Sequence, residues 1–269
     1  MAEPPETYTH GHHESVLRSH RWRTAENSAG YLLDHLGPGL DLLDVGCGPG
    51  TITSDLAERV APGRVVGLDP SAEVIAAASA DAEAAGTGNL ELRVGDVYAL
   101  DLADDSFDVV HAHQVLQHLA DPVAALREMG RVCKPRGLVA ARDSIYRAMT
   151  WFPAEPGLDR WLEVYCAVAE ANGGEPDAGS HLLSWAQAAG FEDIRCTATA
   201  WCYATPEERR WWSELWADRT SSTALADRAV ELGEATLDEL AELAAAWRHW
   251  GAHDDAWFAV PCGEILALG

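Results

Sequence analysis

The sequence predicts an α/β fold: a doubly wound, mostly parallel seven-stranded sheet with helices on both faces. Strand-like apolar runs alternate with helical patterns over the first half of the chain, an order typical of parallel sheets. A glycine-rich turn at 46–50 joins the first such run to the first helical pattern, as ligand-binding turns do in these folds. We expect one domain overall, with an N-terminal arm and cap helices (1–36), a binding core (37–143) and the rest of the sheet (144–269).

Seven runs have the composition of strands, at about 41–45, 64–68, 90–94, 107–112, 138–142, 191–200 and 257–268. Helical patterns separate most of them. Asp121 and Pro122 give one of these helices an N-cap and a first-turn proline. Pro261 and Gly263 interrupt the last run, which suits a bend, a bulge or a sheet edge.

Helical insertions are predicted in the second half of the chain. One helix is expected at about 158–172. Two capping-box signatures, Thr205 to Glu208 and Thr236 to Glu239, predict two helices farther on. We expect the segments 144–176 and 203–255 to form a lid over the sheet together with the N-terminal arm.

Composition restricts the class of partner. The formal net charge is −24, from 43 acidic and 19 basic residues, so phosphate backbones are repelled and nucleic acid is not expected as a partner. The six cysteines are scattered without a C-x-x-C pair, which predicts reduced, buried thiols. With neither a leader pattern nor a run near twenty apolar residues, we expect a cytoplasmic protein that does not enter the membrane.

The glycine turn and two acidic residues form the strongest pattern. Gly46, Gly48 and Gly50 alternate before a helix, a spacing that lets the backbone approach a ligand near the helix N-terminus. Thr51 stands where a dinucleotide fingerprint has its third glycine, which favours a cofactor with an amino-acid tail. Asp69 ends the second strand-like run, where such folds place a carboxylate that accepts ribose hydroxyls. Asp96, in the segment Gly95-Asp96-Val97, follows the third strand-like run. Its carboxylate is suited to accept a hydrogen bond from the exocyclic amine of adenine.

These motifs resemble a known family. Residues 43–50, 66–69, 95–96 and 107–110, with the Arg131–Gly137 segment, resemble the ordered motifs of class I S-adenosylmethionine-dependent methyltransferases. The chain is most similar to the UbiE-like small-molecule branch, in its actinobacterial form. The resemblance implies a Rossmann-like fold, S-adenosyl-L-methionine (SAM) as cofactor and S-adenosyl-L-homocysteine (SAH) as product.

The resemblance also implies the cofactor contacts. The glycines would pack against the methionine part and the ribose, Asp44 would organise the turn, Asp69 would hold the ribose, and Asp96 the adenine. A residue of the N-terminal arm, Tyr8, would touch the methionine end. The full set of expected cofactor-binding residues is Tyr8, Asp44, Gly46, Cys47, Gly48, Gly50, Asp69, Pro70, Gly95, Asp96, Val97 and His113.

The acceptor side is less defined. His113 follows the fourth strand-like run, where an imidazole suits a general base or an acceptor contact, and His118 is the second catalytic candidate. The alternative is that His118 packs at a helix start. His10, Asp143 and Trp151 are the candidates for the acceptor pocket. The N-terminal histidines match no compact tetrahedral site, so no metal is expected.

We therefore expect a methyltransferase that acts by in-line displacement on a small, apolar or aromatic metabolite of specialised metabolism. Whether oxygen, nitrogen or carbon accepts the methyl group stays open. A SAM-binding cyclase or pericyclase, or a non-methylating protein, on the same fold is the alternative. The eleven tryptophans suit core packing, a pocket wall or a subunit interface, so a homodimer also stays open.

Overall fold

The computed structural model describes residues 22–269. The predicted arm up to residue 21, with Tyr8 and His10, lies outside the described residues. None of the helices within 22–269 is both long and apolar enough to cross a bilayer.

A single mixed sheet organises the described chain. It contains β1 (Leu42–Val45), β2 (Val65–Asp69), β3 (Leu90–Val94), β4 (Phe107–His113), β5 (Cys133–Ser144), β6 (Thr150–Phe152), β7 (Ile194–Tyr203) and β8 (Trp257–Leu268). The first five strands are parallel neighbours in the order β3-β2-β1-β4-β5. β8 runs antiparallel between β5 and β7. The predicted doubly wound α/β fold is confirmed.

Helices cover both faces of the sheet. They are α1 (Ala25–Ser28), α2 (Gly30–Leu33), α3 (Thr51–Val60), α4 (Ala72–Ala85), α5 (Pro122–Val132), α6 (Pro156–Ala171), α7 (Ala178–Ala189), α8 (Pro206–Ser222), α9 (Ala224–Leu232) and α10 (Leu237–Gly251). Consecutive residues of β1 face opposite sides, because side chains alternate along a strand. Leu42 therefore packs with Leu32 of α2 and Leu56 of α3, and Leu43 packs with Leu126 of α5 and Leu182 of α7.

The two groups around Leu42 and Leu43 belong to two cores, one on each face of the sheet. A third core, rich in tryptophan, joins α6, α8, α9 and α10 to β8. Trp161 meets Trp216 edge-on at 4.5 Å and Trp247 edge-on at 4.8 Å. Phe258 of β8 packs against Trp247 at 5.4 Å, so the helices rest directly on the sheet. Offset and edge-on ring pairs of this kind stabilise a core beyond their buried area. Most of the tryptophans of the second half therefore build the helical layer.

Several predicted elements differ from the structure. The sheet has an eighth strand, β6, which was missed because it is only three residues long. The predicted strand at 191–200 begins later and runs to Tyr203. The segment 203–255 contains three helices rather than two. The missed helix, α9, is capped by Thr223 at its N-terminus and by Gly233 at its C-terminus. The Thr205–Glu208 capping box is present in full.

The final strand is not a sheet edge, although it contains a proline. Pro261 pairs with Ala200 of β7 on one side. On the other side, β5 ends opposite Cys262 and β6 begins opposite Ala259. The proline thus falls in the gap between β5 and β6, where its missing N–H removes no ladder hydrogen bond.

Gly263 serves close packing of a helix on the sheet. The first turn of α7 crosses β8 there, and a Cβ on Gly263 would overlap the carbonyl oxygen of Gly179. A Cβ on Gly179 would in turn overlap the carbonyl oxygen of Asp143. Both obstacles are backbone atoms, so rotation of a side chain cannot relieve the overlap.

We expect Gly263→Ala to lower the free energy of unfolding by at least about 1–3 kcal/mol, the usual cost of overpacking. Urea denaturation monitored by tryptophan fluorescence measures this. Gly37→Ala is the matched control, because no heavy atom lies within 4 Å of a Cβ built there. Equal midpoints for the two variants would contradict the packing role of Gly263.

Candidate cofactor and acceptor cavity

A cavity of about 760 Å³ opens at the carboxyl ends of the parallel strands. Ligands of doubly wound sheets bind at this edge. Most of the residues predicted from the motifs line the cavity together, namely Asp44, Gly46, Cys47, Gly48, Asp69, Pro70, Gly95, Asp96, Val97, His113 and His118. The predicted Gly50 lies just behind them, as the N-cap of α3. We call the part formed by the glycine turn, Asp44, Asp69 and Asp96 the acidic end.

The glycine turn needs its glycines for two reasons. Gly46, Gly48 and Gly50 have φ values of +69°, +53° and +75°, a left-handed backbone that other residues rarely adopt. At Gly46 a Cβ would also overlap the side chain of Val115 from the loop after β4. The turn therefore presents bare backbone to the cavity at the N-terminus of α3, which suits a polar or anionic ligand group.

Asp44 fastens this turn to two neighbouring elements. The residue is 3% exposed, and one carboxylate oxygen accepts a hydrogen bond from Thr53 Oγ of α3 (2.6 Å). The other oxygen lies 2.7 Å from Nδ1 of the fully buried His111 on β4. An Nδ1–H donor satisfies that carboxylate oxygen, so the pair fixes the tautomer of His111. His111 thus has a core role, in line with its burial.

Asp69 is oriented by the backbone around it. Gly48 N–H donates to one carboxylate oxygen (3.2 Å) and Ser71 N–H to the other (2.9 Å). The carbonyl of Asp69 accepts a hydrogen bond from Gly95 N–H (3.1 Å), which links this loop to the loop of Asp96. A carboxylate oxygen accepts more than one hydrogen bond, so a side chain oriented in this way is chemically suited to vicinal hydroxyl groups.

Asp96 is more exposed than Asp69. Its side chain accepts a hydrogen bond from Tyr98 N–H (2.9 Å), which shapes the loop after β3. Val97 beside it supplies an apolar surface that lines the cavity. The loop therefore offers a carboxylate acceptor next to an apolar side chain, an arrangement that suits the amine and the ring face of a purine.

His113 lies between the acidic end and the rest of the cavity. The strand register places it one residue beyond the Val45–Ala112 pair, beside the glycine turn. The residue is 6% exposed, and its ring lies edge-on to Trp201 of β7, with centroids 5.6 Å apart. His113 therefore lies beside the glycine turn in the sheet and contacts Trp201, which also lines the cavity.

A chain of amides follows His113 along the cavity wall. Gln114 has a positive φ of +58° and donates through Nε2 to Ser144 Oγ (2.6 Å). Gln117 Nε2 donates to Gln114 Oε1 (2.8 Å) and lies 3.1 Å from His118 Nε2. Burial and the charge of Arg23 lower the pKa of His118 to about 3. A neutral imidazole that accepts from Gln117 is consistent with both observations.

The other half of the cavity is aromatic. Its walls are Trp22, Trp201, Tyr203, Trp211, Trp212 and Trp216, which we call the aromatic end. Trp22 packs on Trp201 (5.9 Å) and Tyr203 (5.5 Å), and Tyr203 stacks on Trp212 (4.2 Å). Trp201 Nε1 donates to the carbonyl of Asn27 in α1 (2.6 Å). Residues from the N-terminal region, β7 and α8 thus enclose one space.

Two predicted pocket residues lie elsewhere. Trp151 does not line the cavity, because it stacks on Phe258 (5.4 Å) next to the pairing of β6 with β8. Asp143 is fully buried behind the wall and accepts from Gln117 N–H (3.2 Å). Burial raises the pKa of Asp143 to about 7. Asp143 therefore shapes the loop after β4 from behind and does not face the cavity.

Several cavity residues were not predicted. Gln114, Gln117, Tyr203 and Arg219 all line it. The two glutamines lie within five residues of His113 in the sequence. Their proximity to a predicted site residue could therefore have identified them. Tyr203 and Arg219 lie in the second half of the chain and belong to no recognisable sequence motif, so no sequence signal identifies them. Within residues 22–269, no cluster of three or more His, Cys, Asp or Glu is placed to hold a metal ion. The six thiols are free, with Cys196 and Cys202 exposed on β7 against expectation.

The chain matches known proteins over its whole length. A family model described as a methyltransferase domain matches residues 36–190. An uncharacterized methyltransferase of Schizosaccharomyces pombe is 33% identical, over 99% of this chain and 98% of that protein. A probable methyltransferase, ltbC, of Aspergillus luteorubrus is 28% identical over 97% and 96% of the two chains.

A solved structure of similar fold is the Haemonchus contortus phosphoethanolamine N-methyltransferase 2, crystallised with S-adenosylhomocysteine. It superposes with a TM-score of 0.61 at 17% identity, over 96% of this chain and 58% of that one. Together, the glycine turn, Asp69 and Asp96 offer bare backbone and two carboxylates along one cavity, a donor and acceptor set that suits a nucleoside cofactor with an amino-acid tail. The chain belongs to the class I S-adenosylmethionine-dependent methyltransferases, and S-adenosyl-L-methionine is its cofactor.

Proposed function

We propose that this methyltransferase acts on a small, largely apolar or aromatic metabolite by in-line displacement inside the cavity. The observation that carries the proposal is the two-part cavity itself, acidic at one end and aromatic at the other, with His113 between them. A volume of about 760 Å³ lies within the range of sites for small molecules. The net charge of −24 further favours a small molecule over a nucleic acid.

Each residue of the acidic end has a role in holding the cofactor. Asp69 would accept the ribose hydroxyls, Asp96 and Val97 would contact the adenine, and the glycine turn would pack against the methionine part. Asp44 would position the turn through Thr53 and His111. The bound cofactor supplies an electrophilic sulfonium methyl group. What the chain adds is orientation and exclusion of water, which account for a large part of such rate enhancements.

His113 is our candidate for the acceptor contact and general base. It is buried at the junction of the two ends and lines the cavity. A neutral imidazole there can take a proton from a hydroxyl, an amine or an acidic carbon as the methyl group arrives. His118 is less suited to that task, since its Nε2 accepts from Gln117 and its pKa is lowered to about 3.

The central test is incubation of the enzyme with methyl-labelled SAM and a metabolite extract, followed by mass spectrometry. We expect an extract component that gains the labelled methyl group only when enzyme and cofactor are both present. A product that forms without taking up label would instead favour the cyclase alternative. SAH binding without label transfer to any component of repeated extracts would overturn the proposal.

Asp69→Ala is expected to weaken SAH binding by roughly 10- to 100-fold, because charge-assisted hydrogen bonds to the ribose are lost. Isothermal titration calorimetry measures the affinity. Asp81→Ala serves as control, since Asp81 is exposed on α4 away from the cavity. An unchanged affinity for Asp69→Ala would contradict the ribose assignment.

His113→Asn is expected to reduce methyl transfer by about 100-fold or more, the usual contribution of a general base. Its SAH affinity should stay close to that of the wild type, because a base acts on the acceptor. His181→Asn is the matched control at an exposed histidine. Parallel loss of transfer and SAH affinity would make His113 a cofactor contact.

His118→Asn should leave the pH dependence of methyl transfer unchanged between about pH 5 and 9. The lowered pKa of about 3 keeps His118 neutral throughout this range, so no limb of the profile belongs to it. Initial rates at subsaturating acceptor provide the profile. If the acidic limb moved in this variant, His118 would titrate during catalysis and the assignment to His113 would fail.

A further inference from the structure

The strand β7 forms an open edge of the sheet. Among the strands of the described residues, β8 is the one that pairs with it, and the pairing runs without a register shift from Ile194 to Tyr203. The strand has ten residues, which is long for a strand at an edge. Its other side therefore presents a long row of backbone groups on which a further strand could pair.

One hydrogen bond shows which backbone groups of β7 point outward. Leu268 N–H donates to the carbonyl of Asp193 (3.0 Å), so these residues form a hydrogen-bonded pair of the antiparallel ladder. Such pairs alternate with pairs that share no hydrogen bond, so the odd-numbered residues of β7 bond to β8. Pro261, which has no N–H, accordingly lies opposite the even-numbered Ala200. The outward N–H and C=O groups belong to the even-numbered residues, among them Cys196, Ala198, Ala200 and Cys202.

These outward groups are open. Within residues 22–269, no backbone hydrogen bond beyond the ladder with β8 involves Cys196, Ala198, Ala200 or Cys202, and all four residues are exposed. Natural edge strands are usually protected by charged side chains, proline or a bulge. Residues 196–203 contain neither a charged residue nor a proline, in a chain with 43 acidic and 19 basic residues. This edge therefore lacks the usual protection against pairing.

The two faces of β7 differ in what they carry. Side chains alternate along a strand, so the even-numbered residues share one face, and the alanines and cysteines there are small. The odd-numbered Trp201 and Tyr203 are buried on the other face, where they line the cavity. A second strand added at the edge would therefore meet small exposed side chains on one face and continue the cavity side of the sheet on the other.

The sequence of the strand is nearly symmetric about Thr199. The residues one position away on either side are both alanine, and those three positions away are both cysteine. In an antiparallel pair of two such strands centred on Thr199, Ala198 lies opposite the partner subunit's Ala200. Cys196 lies opposite the partner subunit's Cys202. All these residues have outward backbone groups, so in this register they form hydrogen-bonded pairs.

We propose that β7 pairs in this register with β7 of a second copy of the chain, and that the two sheets join across a two-fold axis at Thr199. A second copy fits the edge because the backbone pairs and the small side chains are self-complementary, as a two-fold interface requires. The uncharged segment 196–203 also brings no like charges together, although each chain has a net charge of −24. The proposal concerns the open edge and is independent of the substrate of the cavity.

Sedimentation velocity of the full-length protein over a dilution series tests the assembly. We expect a concentration-dependent species with twice the mass of one chain. Ala198→Lys combined with Ala200→Lys sets lysines opposite one another across the axis, and should raise the dimer dissociation constant at least about tenfold. Ala84→Lys with Ala85→Lys, at exposed alanines of α4, is the control with the same change of charge and should dimerise like the wild type. SAH affinity and thermal melting check the fold of both variants.

A short bismaleimide, which links two thiols, reports the register. In a hydrogen-bonded pair the Cα atoms are about 5.5 Å apart, so Cys196 comes within reach of the partner subunit's Cys202. Within one chain these thiols are about 20 Å apart along the strand, too far for the linker. The other four cysteines are buried. We therefore expect a crosslinked dimer from the wild type.

Single cysteine variants make the crosslink specific to this register. Cys196→Ser and Cys202→Ser should each fail to crosslink alone, because the remaining thiol then has no thiol opposite it. Co-expression of the two variants should restore the crosslink, since mixed dimers contain one Cys196 opposite one Cys202. Cys166→Ser, at a buried cysteine, is the control and should crosslink like the wild type.

A chain that stays monomeric throughout the dilution series would overturn the proposal. So would a dimer that the two lysines at 198 and 200 leave unchanged, or a wild-type dimer that the linker cannot join. Crosslinking of either cysteine variant alone would contradict the register. A dimer weakened by those lysines, with a crosslink that returns only when the two cysteine variants are combined, supports it.

Discussion

The carboxylate of Asp44 is the constraint on which the rest of the site depends. It is buried, and it is held by Thr53 on one side and His111 on the other. The three left-handed glycines of the turn that follows it carry no side chains that could hold them in place. The carboxylate therefore links β1 to the first turn of α3 and to β4. Removing one partner of such a buried pair usually costs more than the pair contributes, because a charge is left without compensation.

A second polar link runs across the sheet and joins its parallel and antiparallel parts. The register places His113, Arg142, Glu264 and Thr197 side by side on β4, β5, β8 and β7. Arg142 pairs with Glu264 and stacks on Trp201, whose indole also contacts His113. A movement of β7 would therefore also change the position of His113, through its contact with Trp201. The position of the aromatic wall and that of the proposed base are set by the same buried row.

The residues of the acidic end could be named from the sequence because their signals are local. The spacing of Gly46, Gly48 and Gly50, and an acid at the end of each following strand, depend on a few neighbouring residues. The aromatic end depends on contacts between distant segments: Trp22, Tyr203 and Arg219 meet only after β7 pairs with β8 and α8 folds back. Trp151 and Trp201 could not be told apart by composition. Sheet pairing places Trp151 against Phe258 and Trp201 against the cavity.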